Sequence, residues 1–241
     1  LLKAGALPAS ARIVDAVSVG PQLGAENIQA GFSSFVIALA VILLYMMFYY
    51  KGAGLVSNLA LIANLFFLIG ALASLGAALT LPGIAGIVLT IGMAVDANVL
   101  IYERIREEMR GGKGLMVALK DGYSKAYSAI IDANLTTLLT AFVLYSFGSG
   151  AIRGFATTLI IGIFTSLFSA IVLTRLVFFS RLENKKPISF YTDMTKDWFT
   201  KINVNFIGNR MKFYILSAII VVGGVISLAT KGLQYGVEFS G

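Results

Sequence analysis

Between Lys51 and Asp96 lie 44 residues without a charged side chain. One bilayer crossing takes about 20 residues. The stretch is therefore too long for one span and sufficient for two. It breaks at "LTLPG", where Pro82 suits the first turn of a following helix. Over the whole chain 58% of residues are hydrophobic and 13% are charged, against about 25% charged in a soluble domain. The apolar runs are continuous, not alternating over segments of about 10 residues as barrel strands do. The fold class is thus all-α membrane, a polytopic transmembrane helix bundle.

The same reading predicts about six spans, at 31–50, 54–78, 83–102, 127–147, 154–179 and 213–230. Residues 1–27 read as the end of an extracytoplasmic domain, with "ARIVDAVSVGP" alternating as a strand does. Residues 28–179 form a five-span transmembrane region, and 180–212 a cytoplasmic basic linker. Residues 213–230 form the sixth span, and 231–241 begin a second extracytoplasmic domain. The chain reads as a fragment with truncated extracytoplasmic β-containing segments at both ends.

Basic residues set the orientation, because they collect on the cytoplasmic side. Numbering the loops alternately places 15 of the 19 on one side: Lys51, the six from Arg104 to Lys125, and the eight from Arg175 to Lys212. Lys3, Arg12, Arg153 and Lys231 fall on the other side. The linker mixes these charges with Phe190, Tyr191, Trp198 and Phe199. That composition also suits nucleic acid, but positive-inside flanking and interfacial aromatics account for it, and no nucleic-acid partner is expected. A short amphipathic helix is expected over 191–202. The chain has no cysteine and no histidine, so disulfides and histidine metal sites are excluded. No metal site is expected, and proton chemistry falls to carboxylates.

Two carboxylates interrupt the apolar spans. Asp96 sits in "GIVLTIGMAVDANVLIYERIREE" and Asp132 in "YSAIIDANLTTLLTAFVLY", each within an Asp-Ala-Asn tripeptide. Each lies 7 residues from a flanking charge, Glu103 or Lys125, which is roughly 10 Å along a helix. Antiparallel helices would bring the two motifs to matched depth. An ionised carboxylate there is unfavourable unless paired or hydrated, and desolvation favours its neutral form. Such a group suits reversible proton carriage. Asp132 has two readings, a functional one and structural support through the positive end of its helix dipole. Capping cannot explain Asp96, which follows a long uncharged part of its helix. Gly92, four residues before Asp96, would let a neighbouring helix approach. Ser124, Ser128, Asp132, Thr136 and Thr140 draw a polar stripe. Thr158, Gly162, Thr165, Ser166 and Ser169 form a second small, polar face, and Asn64, Asn98 and Asn134 add amides. Charges from Glu103 to Arg110 read as a solvated helix end, with Arg104 and Glu108 paired.

These stretches, with "GYSKAYSAIIDANLTTLLTA", closely resemble the membrane core of SecD in the SecD/SecF protein-export family. "GPQLGAENIQAG" resembles the end of the SecD periplasmic region, and "GAIRGFATTLIIGIFTSLFSAIVLTR" its last span. "NFIGNRMKFYILSAIIVVGGVISLATKGLQYGVEFSG" resembles the start of SecF, so the chain is similar to part of a fused SecDF. Glu238 stands where the family commonly has Asp. The resemblance implies a resistance-nodulation-division type fold in the bacterial inner membrane. It also implies use of the proton gradient to promote export of polypeptides across that membrane. Protons would be the coupling ion, with no other cofactor. The partners implied are the Sec translocon channel with its associated membrane subunits, unfolded exported polypeptide, and lipid. Asp96 matches the proton-passing aspartate of the fourth SecD span, and Asp132 matches the aspartate at the next motif. The expected site is Asp96 as proton carrier, supported by Asp132, Asn98, Asn134 and Thr136, with Gly92 for helix packing. An aspartate and an arginine of the relay come from the SecF half, beyond the stretch the chain resembles. Two alternatives stand beside this reading: a proton-driven exporter of small molecules or lipids, and a scaffold of the translocon without transport.

Overall fold

The computed structural model describes residues 21–77, 80–186, 188–196 and 205–233, with side chains from residue 28 onward. The strand expected over 11–20 and the tail from 234 lie outside the described residues, and no strand occurs among those described. Contacts divide the chain into two units, Leu1–Lys196 and Asp197–Gly241.

The first unit holds α1 (Pro21–Tyr50), α2 (Gly52–Ser74), α3 (Leu81–Arg110) and α4 (Leu115–Phe147). A last long helix is α-helical over Gly150–Leu167 (α5) and Thr174–Glu183 (α6), with a π-helical turn, Phe168–Leu173, between them. The second unit holds α7 (Arg210–Lys231). Among the described residues six helices are long and apolar enough to cross a membrane, counting α5 and α6 as one. The all-α bundle inferred from the charge-free runs is therefore the fold observed.

Local chemistry sets the turns. Lys51 alone separates α1 from α2 and takes a positive φ of 51°. The reversal is so tight that a Cβ on Gly54 would collide with the Met46 carbonyl. The Thr80 hydroxyl accepts from the Gly83 N–H at 3.2 Å, capping α3 just ahead of Pro82. Gly112, at φ 86°, turns α3 into α4. Both helices run well past their apolar stretches and stay in contact there. A Cβ on Gly122 would come within 3.0 Å of the Ile105 backbone nitrogen.

The centre of the unit is α3 against α5. The most apolar windows of their spans are 44% buried, against 6% for α1 and 11% for α4. Gly86 faces Thr158, Gly162 faces Thr90 and Gly154 faces Thr80. Small residues at these crossings let the two backbones come close, the usual basis of helix association in lipid. The hydroxyls turn inward on their own helices: Thr90 donates to Gly86 O and Thr158 to Gly154 O.

The charged end of the bundle departs from the sequence reading. Glu103 to Arg110 is not simply a solvated helix end, because Arg106 and Glu108 are buried. Arg104 pairs with Glu107, and not with Glu108. Glu108 instead takes Lys113 and Lys125, each at 2.5 Å. The cover is a strap, residues 188–196, folded beneath the helix ends. Ala53 N–H donates to Ser189 O at 2.9 Å. Thr192 and Thr195 hydroxyls donate to Phe48 O and Tyr49 O, carbonyls in the last turn of α1. Phe190 is fully buried, its ring 5.7 Å from Tyr102 and 5.1 Å from Phe178. The described part of the amphipathic helix expected over 191–202 is turn, not helix, and the rest lies outside the described residues.

Candidate functional site

α3 carries Asp96 on the face it turns away from α5, together with Leu89, Gly92 and Leu100, all exposed. The Asp96 side chain borders a cleft of about 160 Å³ between α3 and α4, lined on α4 by Ile130, Ala133, Asn134 and Thr137. The cleft thus joins the aspartate of the first Asp-Ala-Asn to the asparagine of the second. This meets the expectation that the motifs lie at matched depth, since the same antiparallel register brings Gly122 to Ile105.

The hydrogen bonds around the cleft define what it offers. Thr137 spends its only hydroxyl proton on Ala133 O at 3.1 Å, and Asn134 donates one amide proton to Ile130 O at 2.8 Å. Thr137 is then purely an acceptor, and Asn134 retains its carbonyl oxygen. A carboxyl that brings its own proton finds acceptors here. Among the described residues Asp96 makes no ion pair and no hydrogen bond. Asp96 is therefore a lone acid at mid-helix, open on one side and facing polar acceptors on the other.

The remaining predicted residues are placed differently. Asn98 is 2% exposed and faces inward; two residues along a helix is a rotation of about 200°, so the structure does not bring it to Asp96. Asp132 and Thr136 are exposed on α4, with Ser124, Ser128 and Thr140, outside the cleft lining. Gly92 does not serve a close helix approach within this unit: it is exposed, and a Cβ there meets nothing within 4 Å. The approach occurs one face away, at Gly86 and Gly162. Thr137 was missed by the sequence reading; its signal was its position one turn beyond Asn134. Arg106 was missed too, because only the strap makes it a buried group. Outside the spans, Lys113 bridges Asp121 and Glu108 at 2.6 and 2.5 Å. Its hydrogen bond to Asp121, then that to Glu108, pushes its pKa up to about 12.

A family model described as "Protein export membrane protein SecD/SecF, C-terminal" matches residues 3–182. The chain belongs to the SecD/SecF protein-export membrane family. It is 57% identical over 190 residues to the protein translocase subunit SecD of Rhodothermus marinus, covering 78% of this chain and 30% of that one. It is 52% identical over 186 residues to the SecD of Magnetococcus marinus, covering 77% and 35%. The crystal structure of SecDF, a translocon-associated membrane protein from Thermus thermophilus, matches with a TM-score of 0.81 at 37% identity. That match covers 93% of this chain and 30% of the other. The chain thus spans about a third of the length of these SecD/SecF relatives. Family and helices together make it a multi-pass protein of the bacterial inner membrane.

Proposed function

We propose that this chain is the membrane part of a Sec-associated export component in which Asp96 takes up and releases protons, coupling the proton gradient to export of unfolded polypeptide. The observation that carries the reading is Asp96 itself: an unpaired acid in the middle of an apolar span, beside a cleft whose threonine can only accept. Membership of the protein-export family supplies the process, and its relatives' names supply the Sec translocon as partner. Protons are the coupling ion in this reading. Asn134 and Thr137 are the immediate partners of the neutral carboxyl. Asp132 and Thr136 belong to the outward polar stripe of α4. A stripe of this kind is unfavourable against lipid, so it suits contact with a further membrane portion of the export machinery or with water. Asn98 acts through the packing of α3.

The test is Asp96→Asn in the intact protein in its native membrane. The amide keeps the shape and removes the titration. Expected are normal membrane levels and export that no longer rises with the proton gradient. Export that still follows the gradient as in the parent would refute the carrier role. Lost expression with residual gradient-driven export would point to a structural acid instead.

A further inference from the structure

We propose that the first unit binds a layer of internal water between α2, α3 and the π-helical turn, on the side of α3 away from Asp96. Five polar side chains form the layer: Ser57 and Asn64 on α2, Asn98 and Tyr102 on α3, and Ser169 in the π-helical turn. None is more than 2% exposed. Yet among the described residues both amide atoms of Asn64, Asn98 Oδ1 and Ser169 Oγ have no protein hydrogen-bond partner, and Ser57 Oγ and Tyr102 OH have none beyond their contact with each other. Their neighbours behave otherwise: Thr90, Thr158 and Ser166, in the same interface, each close on a carbonyl of their own helix. Buried polar groups in folded proteins are nearly always satisfied, by protein or by ordered water.

The register brings these groups to one zone. Gly86 faces Thr158 and Gly162 faces Thr90, so α3 and α5 run parallel, and Ser169 continues to the level of Ala97 and Asn98. Ser57 of α2 lies beside the Tyr102 hydroxyl. Asn98 is one turn from Tyr102 along α3, and Asn64 is two turns from Ser57 along α2.

The π-helical turn is built, not accidental. Thr174 N–H donates to Ser169 O and not to Ala170 O. The Thr174 hydroxyl donates to Ala170 O instead, and it is in turn 2.5 Å from the Tyr123 hydroxyl. Thr174 is fully buried. The widened turn is thus fixed from both sides while the Ser169 hydroxyl is left for the interior. Widened turns of this kind recur at functional sites.

The donor set selects the ligand. Asn64 presents both an amide N–H₂, a donor, and a carbonyl oxygen, an acceptor, and Asn98 a carbonyl oxygen; the three hydroxyls donate and accept. No charged side chain belongs to the layer. A cation would face the Asn64 donor and an anion the Asn98 oxygen, each without a counter-charge. Water donates and accepts, and it matches the mixture. Water-mediated contacts of this kind re-form readily when the partners shift, so α3 would rest on a rearrangeable inner surface.

Radiolytic hydroxyl-radical labelling in heavy-oxygen water, read by mass spectrometry on the protein in lipid nanodiscs, tests this. Radicals formed from bound water modify side chains that bulk solvent cannot reach. Tyr102 is fully buried, whereas Tyr127 and Tyr145 are exposed. Expected is clear labelling of Tyr102, carrying the heavy oxygen, falling several-fold in Asn98→Leu with Tyr127 and Tyr145 unchanged. Ser169→Ala removes only one oxygen; it should lower the Tyr102 signal in the same sense and serves if Asn98→Leu does not fold. An unlabelled Tyr102 beside labelled Tyr127 in the parent would overturn the proposal. Tyr102 labelling unaffected by the folded variants would overturn it equally.

Discussion

Arg106 keeps a full charge at 2% exposure because every side of its guanidinium is met. Glu103 lies 2.6 Å from Nη1, Thr195 O accepts from Nη2 at 2.7 Å, and the Tyr49 ring lies 5.1 Å below. Glu103 in turn accepts from the Tyr50 hydroxyl at 3.1 Å. One arginine therefore joins α1, α3 and the strap. Arg106→Ala should lower stability in detergent by about 1–3 kcal/mol, the loss from leaving a buried acceptor unpaired. Arg106→Lys should recover only part, since an ammonium lacks the planar fork; thermal unfolding of the three proteins decides. Lys113 gives a pH signature. Its pKa is raised to about 12 by Asp121 and Glu108. The stabilisation is fully present below the unfolded value, near 10.4, and is lost as pH rises through about 12. The melting temperature should drop over that window in the parent and less so in Lys113→Gln. Equal drops in both would remove Lys113 from the account.

At the level of elements, α3 has two unlike faces. Its Gly86 side is pressed on α5, and its Gly92 side is open. Gly162→Ala places a methyl into Thr90 and should destabilise by about 1–3 kcal/mol, as overpacking does. Gly92→Ala in the same helix should be neutral or gain about 0.5–1 kcal/mol from better helix propensity. Calorimetry in detergent separates the two, and a larger loss at Gly92 would reverse the assignment of faces. The strap is the other element with a measurable anchor. Phe190→Ala should cost about 3–5 kcal/mol of local stability, the range for large core truncations. The consequence is a looser strap, seen as faster tryptic cleavage after Lys196 in solubilised protein. Unchanged cleavage would mean that the hydrogen bonds from Thr192 and Thr195, without the aromatic ring, hold the strap.

Over the whole molecule, the charge partition predicts sidedness. Gly112 and Lys185 should face the cytoplasm, Arg153 and Lys231 the outside. The chain has no cysteine, so single cysteines placed at these positions report cleanly to impermeant reagents in intact cells. Labelling of Gly112→Cys from outside would invert the topology.

The chain's own order determined the spans and their number. Lipid demands about 20 uncharged residues per crossing and internally satisfied backbone, and both demands are written in local composition. The two acids were legible for the same reason: a charge in such a run stands out without any knowledge of packing. Packing itself was not legible. Whether a glycine contacts a neighbour depends on which face its helix turns inward, and in lipid every face is apolar, so periodicity carries no sign. That is why Gly92 and Gly86 look alike in sequence and differ in the bundle, and why Asn98, near Asp96 in the chain, lies across the helix from it. The strap was hidden for a second reason. Its residues mix Ser and Thr with Phe190, Tyr191 and Met194 and carry one Lys against one Asp, a pattern without period, and the burial of Phe190 and Thr195 arises only because Arg106, the open carbonyls of α1 and the aromatic pair Tyr102 and Phe178 converge in space to receive them.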